Sequence, residues 1–365
     1  MLLQVGVGRR AALGARCLFG GLRSVSRYST KATTPADEVF DKLLKNVISR
    51  HDQDKASVYK SFLDMHDDHH FKFESHQADL TFARVGDKDK PLMELDPHGL
   101  ALLLLSRKFR RGYLYFDRNQ QRLVPSDPIL QPLADHFTKD AVDFDEHEAI
   151  FIEVGRRSKS LMSAHVWRTD RGQAVGGVRL ERYSTTADFL RDGLRLSLCM
   201  GRKAAAGDIW TGGGAGIIAR PPGNAAQDEG FRKLLFQDYG EFVTSLRGCF
   251  VAGEDTGLSV RDLDWMHSRS RFIACISPSI GGTGKPVGLT AAGIISAMES
   301  GLAATGLGTL EGKTVALQGI GSIGDHMLRH LLQRNVARII AVDTNGVRIA
   351  CLEFWLLILV VISRL

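Results

Sequence analysis

An α/β protein of two units, the second of them incomplete, is what the sequence predicts, and three observations carry it. First, TVALQGIGSIGDHMLRHLL from Thr314 opens with a short apolar strand, sets Gly319, Gly321 and Gly324 in GxGxxG spacing and runs on into a helix. A second strand, IIAVD, then ends at Asp343. Second, AIFIEV, SAHVW and AVGGVRLERY, between Ala149 and Tyr183, have the apolar and β-branched pattern of strands. Third, Leu190, Leu194 and Leu198 recur at four-residue steps, a helical period.

Strand, glycine turn, helix, strand and acid in that order make the beginning of a Rossmann dinucleotide-binding unit. The glycines allow a tight turn and close approach of the backbone to a pyrophosphate, which the helix N-terminus favours. Gly319, Gly321, Ser322, Ile323 and Gly324 are therefore the candidate phosphate-side residues. Asp343, 19 residues after Gly324, is placed to accept from the ribose hydroxyls and to repel a 2'-phosphate, so the expected cofactor is NAD. GGTGKP at Gly281 to Pro286 only looks like a phosphate loop. Ser279 stands where its first glycine belongs and Pro286 follows the lysine, which excludes a P-loop kinase or ATPase.

The chain has 365 residues with 47 basic and 41 acidic side chains. Residues 1–36 hold Arg9, Arg10, Arg16, Arg23, Arg27 and Lys31 and no acid, so the remainder is neutral and the basic balance gives no support to nucleic-acid binding. Drawn as a helix, this leader is amphipathic, with arginines on one face. That is the pattern of a mitochondrial transit peptide, the alternative being a disordered tail, and the matrix is the expected location. Five scattered cysteines with no CxxC pair imply neither a disulfide framework nor a zinc site, and are expected as reduced core residues.

Residues 37–143 form an N-terminal extension to which no chemistry is assigned. It includes a helix over Glu38 to Val47, an alternating FKFES, a short buried run at Leu100 to Leu105 and a hairpin in Gly112 to Val124 turning at Asp117 to Asn119. His66, His69, His70 and His76 lie among acids without metal-site spacing and are read as a solvated loop, so no metal is expected. Arg107, Lys108, Arg110 and Arg111 are read as an exposed helix face.

Residues 144–305 read as the next unit of the chain. Its three strands imply a small antiparallel sheet, with a turn at Thr169 to Gly172. Thr185 and Asp188 cap a helix that delivers Met200 and Lys203 to its end. Gly212 to Gly214 then read equally as the wall of a binding site or as a flexible loop, followed by a strand, GIIAR. A PPG turn and a long helix containing Phe231 to Leu246 come next, and CFVAGEDTG sets Glu254 and Asp255 just past a strand, where open α/β folds keep ligands.

AVGGVR, the M-x-x-K before GGGA, AGEDTG, ISPSIGGTGKP, LTAAG and LEGKTVALQGIGSIG stand in one order, from about Phe144 to Asn345. Together they resemble the glutamate/leucine/phenylalanine/valine dehydrogenase family, most closely its leucine-type branch. The resemblance implies an amino-acid dehydrogenase-like substrate domain followed by an incomplete Rossmann NAD-binding domain (residues 306–345), an oligomer, and oxidative deamination of an amino acid with NAD. It places Lys203 on the substrate carboxylate, Asp255 as the proton-handling acid and Thr290 along the cleft. Val175, before Gly176 and Gly177, stands where glutamate-specific members carry lysine, so an apolar substrate touching Val175 and Met200 is implied.

Two departures accompany the resemblance. The lysine that closes the family's GG[GA]K motif falls on Ala215 here, and loss of a positioned acid–base group typically costs about 10²- to 10⁴-fold. This raises the alternative of a catalytically impaired binding or regulatory protein. Residues 346–365 include CLEFWLLILVVISRL, read as an aberrant or truncated terminus that leaves an exposed strand edge, rather than as a membrane anchor.

Overall fold

A computed structural model describes residues 91–346, 348 and 359–361. The leader, the helix at 38–47, FKFES and the histidines at 66–76 lie outside the described residues. The chain divides between Lys285 and Pro286 into two compact units, so the helix containing LTAAG falls with the nucleotide-binding motif.

The first unit is built on one seven-stranded sheet. Helix α1 (Pro97–Ser106) starts at Asp96, whose carboxylate accepts from the Gly99 amide at 2.8 Å, with proline in the first turn. Strands β1 (Arg111–Asp117) and β2 (Arg122–Pro125) form the expected hairpin, and Asp117 holds its turn by accepting from the amides of Asn119 and Gln120. Helix α2 (Gln131–Thr138) leads to β3 (Ala149–Val154), β4 (Leu161–Arg168) and β5 (Ala174–Glu181). After α3 (Thr186–Ala206) come β6 (Gly212–Ala219), α4 (Glu229–Ser245), β7 (Phe250–Glu254) and α5 (Val260–His267).

The strand order is β2-β1-β3-β4-β6-β5-β7, antiparallel as far as β6 and parallel from β6 to β7. This corrects two expectations. Strand β5 does not continue an antiparallel sheet from β4, because β6 returns over α3 and inserts between them. Nor are Gly212, Gly213 and Gly214 a loop: they are buried and open β6. The reason is steric. A Cβ on Gly213 would lie 2.7 Å from the amide nitrogen of Gly201 on α3, and one on Gly214 would lie 2.7 Å from the Phe250 ring. The glycines let a helix lie directly on backbone, so their purpose is packing.

The two sheet faces carry separate cores. Phe151, Met162, Val178, Ile218 and Phe250 pack under α4 and α5 with Phe236, Tyr239, Phe242 and Leu263. Ile150, Ile152, Leu161, Ala215 and Ile217 pack under α1, α2 and α3 with Leu104, Phe137, Phe189 and Leu194. Each of the larger apolar side chains contributes about 1.5–3 kcal/mol when buried. Tyr239 donates its hydroxyl to the Ser163 carbonyl at 3.0 Å, so this large ring is buried with its polar atom satisfied.

Two smaller expectations are also corrected. The basic run at 107–111 is not a helix face: Arg107 ends α1, and Arg111 is buried in β1, where its guanidinium pairs with buried Glu153 on β3. Of the cysteines, all three reduced, Cys249 and Cys275 are half-buried and pack against the core of the first unit, whereas Cys199 is exposed and is not a core residue.

The second unit holds α6 (Val287–Ala304), β8 (Thr314–Gln318), α7 (Ser322–Leu332), β9 (Arg338–Val342) and β10 (Leu359–Val361), with parallel strands ordered β10-β9-β8. Ala291 and Ile295 of α6 pack with Leu317, Leu328, Leu331, Ile339 and Ala341. The last apolar segment thus supplies a third parallel strand, and among the described residues β8 and β10 are both edge strands.

Candidate functional site

Alternation along β5 points Val175, Gly177 and Arg179 toward the α3 face, while Ala174, Val178 and Leu180 enter the opposite core. Pairing of Val175 with Gly213 and of Val178 with Gly216 sets Ala215 in line with Gly177, and Gly177 pairs with Gly253 of β7. The chain leaves β7 at Glu254 and folds Asp255 back over this line. A Cβ on Gly177 would stand 2.6 Å from the Asp255 Cβ. Gly177 is therefore the space in which Asp255 sits, and Gly176 lets the backbones of β5 and β6 meet, since a Cβ there would overlap the Gly214 carbonyl.

Asp255 accepts from Arg179 Nε at 3.3 Å and from the Thr256 amide at 2.6 Å. Arg179 also donates to Asp192 on α3 at 2.7 Å, and Tyr183 donates to the other Asp192 oxygen at 2.7 Å. Burial works against the Arg179 charge, but Asp255 and Asp192 outweigh it and hold the guanidinium above its ordinary value. Burial, then the bond to Asp192, pushes the Tyr183 phenol up, so it stays a donor. This chain from Tyr183 to Asp255 is absent from the sequence expectations. Its signal was the period of two that puts Arg179 on the Gly177 face.

Lys203 lies in the last turn of α3, exposed, and its side chain has no hydrogen bond or ion pair among the described residues, so its ammonium is available to an anion. Met200, one turn earlier, is half-buried against the core that contains Ala215. Glu254, beside Asp255, takes the ammonium of Lys285, so the lysine of GGTGKP is engaged in an ion pair within the first unit.

Ala215 is fully buried in the middle of β6, and its cross-strand partner on β4 is His165. The imidazole fills the space under α3 that a Cβ on Gly193 would need. Its Nε2 lies 3.0 Å from the Ser163 hydroxyl, and its buried Nδ1 has no partner among the described residues. Burial, with His147 nearby, lowers His165 to about 3, so it is a neutral imidazole. No feature of the sequence had singled it out.

In the second unit Gly319 has φ +90°, a conformation suited to glycine, and its amide donates to the Val342 carbonyl at 2.7 Å. A Cβ on Gly324 would overlap the Gly319 carbonyl, whereas around Gly321 the space is open apart from Arg348. Gly321 precedes α7, whose N-terminus, with Ser322 and Ile323, has no side-chain cap. The turn therefore fits a dinucleotide pyrophosphate. Asp343 accepts from the Ile320 amide at 2.7 Å and from the Asn345 amide at 2.7 Å, bonds that hold its carboxyl below the usual range. Thr290 is on α6, its hydroxyl donating to the Pro286 carbonyl at 2.8 Å.

A glycine-lined sheet with an acid folded over it thus stands in one α/β chain with a glycine turn of dinucleotide-binding form. Residues 161–271 match the family described as Glu/Leu/Phe/Val dehydrogenase, dimerisation domain. Over this segment the chain is similar to the glutamate/leucine/phenylalanine/valine dehydrogenase family. It is 34% identical over 188 residues to leucine dehydrogenase of Bacillus subtilis, covering 51% of this chain and 50% of that protein. It is 30% identical over 191 residues to L-tryptophan dehydrogenase of Nostoc punctiforme, covering 52% of each. With phenylalanine dehydrogenase of Lysinibacillus sphaericus it shares 37% over 166 residues, 45% of this chain and 42% of that one. The chain spans about half the length of the curated relatives it matches.

Proposed function

We propose that this chain serves NAD-dependent oxidative deamination of an apolar L-amino acid to its 2-keto acid and ammonia. The observation that carries the reading is Asp255 folded over Gly177 and held by Arg179, inside the segment that matches the family. The dinucleotide, when bound, supplies the acceptor for hydride from the α-carbon. Lys203 binds the substrate carboxylate through a charge-assisted hydrogen bond. Val175, an apolar residue, favours an apolar side chain over a carboxylate. Asp255 takes and returns the protons of the amine and of the water that releases ammonia. The matching domain is named for dimerisation, which supports an oligomer. The acid-free leader supports the mitochondrial matrix, and import with cleavage of that leader by isolated mitochondria tests it.

Incubation with leucine, valine, phenylalanine or tryptophan and NAD should raise the absorbance of reduced cofactor. Absence of turnover with all four rejects the enzymatic reading.

A second reading, a binding or regulatory protein with impaired catalysis, is favoured by Ala215. A buried methyl group neither moves a proton nor polarises water, and His165 fills the space beside it. Ala215→Lys alone is expected to lower stability by about 3 kcal/mol, because it buries an ammonium in an already filled core. His165→Ala together with Ala215→Lys should recover that stability in urea titrations. The same double variant should raise turnover about 10²-fold if missing lysine chemistry limits the rate. Unchanged turnover in a stable double variant removes that explanation.

A further inference from the structure

Arg348 stands at the glycine turn of the second unit, beside the acid Asp343. Its side chain is 51% exposed, whereas that of Asp343 is 5% exposed. The guanidinium Nη1 is 3.4 Å from Asp343 Oδ2 and 3.9 Å from the point a Cβ on Gly321 would occupy. That Asp343 oxygen already accepts from the Ile320 amide, and the other accepts from the Asn345 amide. The acid is thus folded into the turn, with its charge balanced, and the group open to solvent beside Gly321 is a cation.

An acid at the end of the second strand disfavours a 2'-phosphate by charge repulsion, and an arginine nearby accommodates one. Both terms act in the same direction here. The ion pair weakens the repulsion, and a guanidinium has five N–H donors, of which Asp343 engages one at this distance. The fork is suited to a phosphate, which it can hold through two parallel hydrogen bonds.

We infer that Arg348 makes the glycine turn accept the 2'-phosphorylated dinucleotide, NADP, as well as NAD, by placing a half-open guanidinium against the 2'-phosphate. The inference rests on the dinucleotide reading given above and alters the cofactor range expected from Asp343 alone. Arg348 is a specificity-determining residue in this reading, and Asp343 is the partner that orients it.

Calorimetric titration of the full chain with NAD, NADP, 5'-AMP and 2',5'-ADP tests this without relying on turnover. NADP should bind within about ten-fold of NAD, and 2',5'-ADP more tightly than 5'-AMP. Arg348→Ala should shift the NAD-to-NADP affinity ratio about ten-fold toward NAD, with Arg348→Lys keeping part of the preference. Circular dichroism checks that both variants are folded. The inference is overturned if NAD binds and NADP does not, or if Arg348→Ala weakens both dinucleotides alike. It is also overturned if inorganic phosphate competes equally with NAD and NADP, which would make Arg348 a general anion contact. Failure of all four ligands to bind rejects the dinucleotide reading itself, and this inference with it.

Discussion

Gly176→Ala is expected to destabilise the first unit by about 3 kcal/mol or more, at the upper end of what overpacking costs. A methyl group there would overlap the carbonyl of Gly214, which belongs to the neighbouring strand and cannot rotate away as a side chain could. Relief requires β5 and β6 to separate, and these are the strands that join the antiparallel and parallel halves of the sheet. Urea unfolding followed by far-UV circular dichroism checks the value. Gly230→Ala is the control: it lies in the first turn of α4, where the nearest atom to the added methyl is the Asp228 carboxylate at 3.3 Å, and it should be within about 0.5 kcal/mol of the parent or slightly more stable.

The second large effect is loss of stability in mild acid. His147 is buried with Nε2 2.9 Å from the Leu194 carbonyl, and burial lowers it to about 4, while His165 is lowered to about 3. Both depressed values favour the neutral ring in the folded state. Above about pH 6.5 both rings are neutral folded or unfolded, and the full stability is present. As the pH falls below that value the unfolded chain takes up two protons that the folded chain refuses, so stability falls with pH. Each group removes about 2 kcal/mol between pH 7.5 and pH 5, or about 4 kcal/mol together. Glu153, raised by burial, works in the opposite direction. The slope of unfolding free energy against pH should correspond to about two protons near pH 5.5, and to about one in His165→Gln. A slope unchanged by that substitution would show that His165 is not among the titrating groups.

Local features were the most legible in the sequence. The hairpin at Asp117, the Thr185 cap of α3, the capped helix α4 and the Gly319 to Gly324 turn all depend on neighbouring residues, and all are found where expected. Partners remote in sequence were not legible. A strand pattern at Ala174 to Glu181 does not specify its neighbour, and the nearest strand in sequence was the wrong choice because β6 lies between. Three adjacent glycines carry the same letters in a loop and in a strand pressed against a helix. Only Ser197, Gly201 and Phe250 on other elements distinguish the two. Likewise the position of Asp255 past a strand was readable from GEDTG, but its hold by Arg179 and the meeting of His165 with Ala215 required the sheet order.

The placement of β6 bears on how the chain assembles during synthesis. Strands β1 to β4 can pair as they emerge, since each neighbours the next or nearly so in sequence. Strand β5 emerges next with no partner available: one of its edges waits for β6, which ends at Ala219, and the other for β7, which ends at Glu254. Until Ala219 has been made, the segment carrying Val175, Gly177 and Arg179 has no sheet to join. The Gly177 face of the sheet is thus among the last parts of the first unit to form, and a nascent chain arrested before β6 leaves the β4 edge and both edges of β5 unpaired.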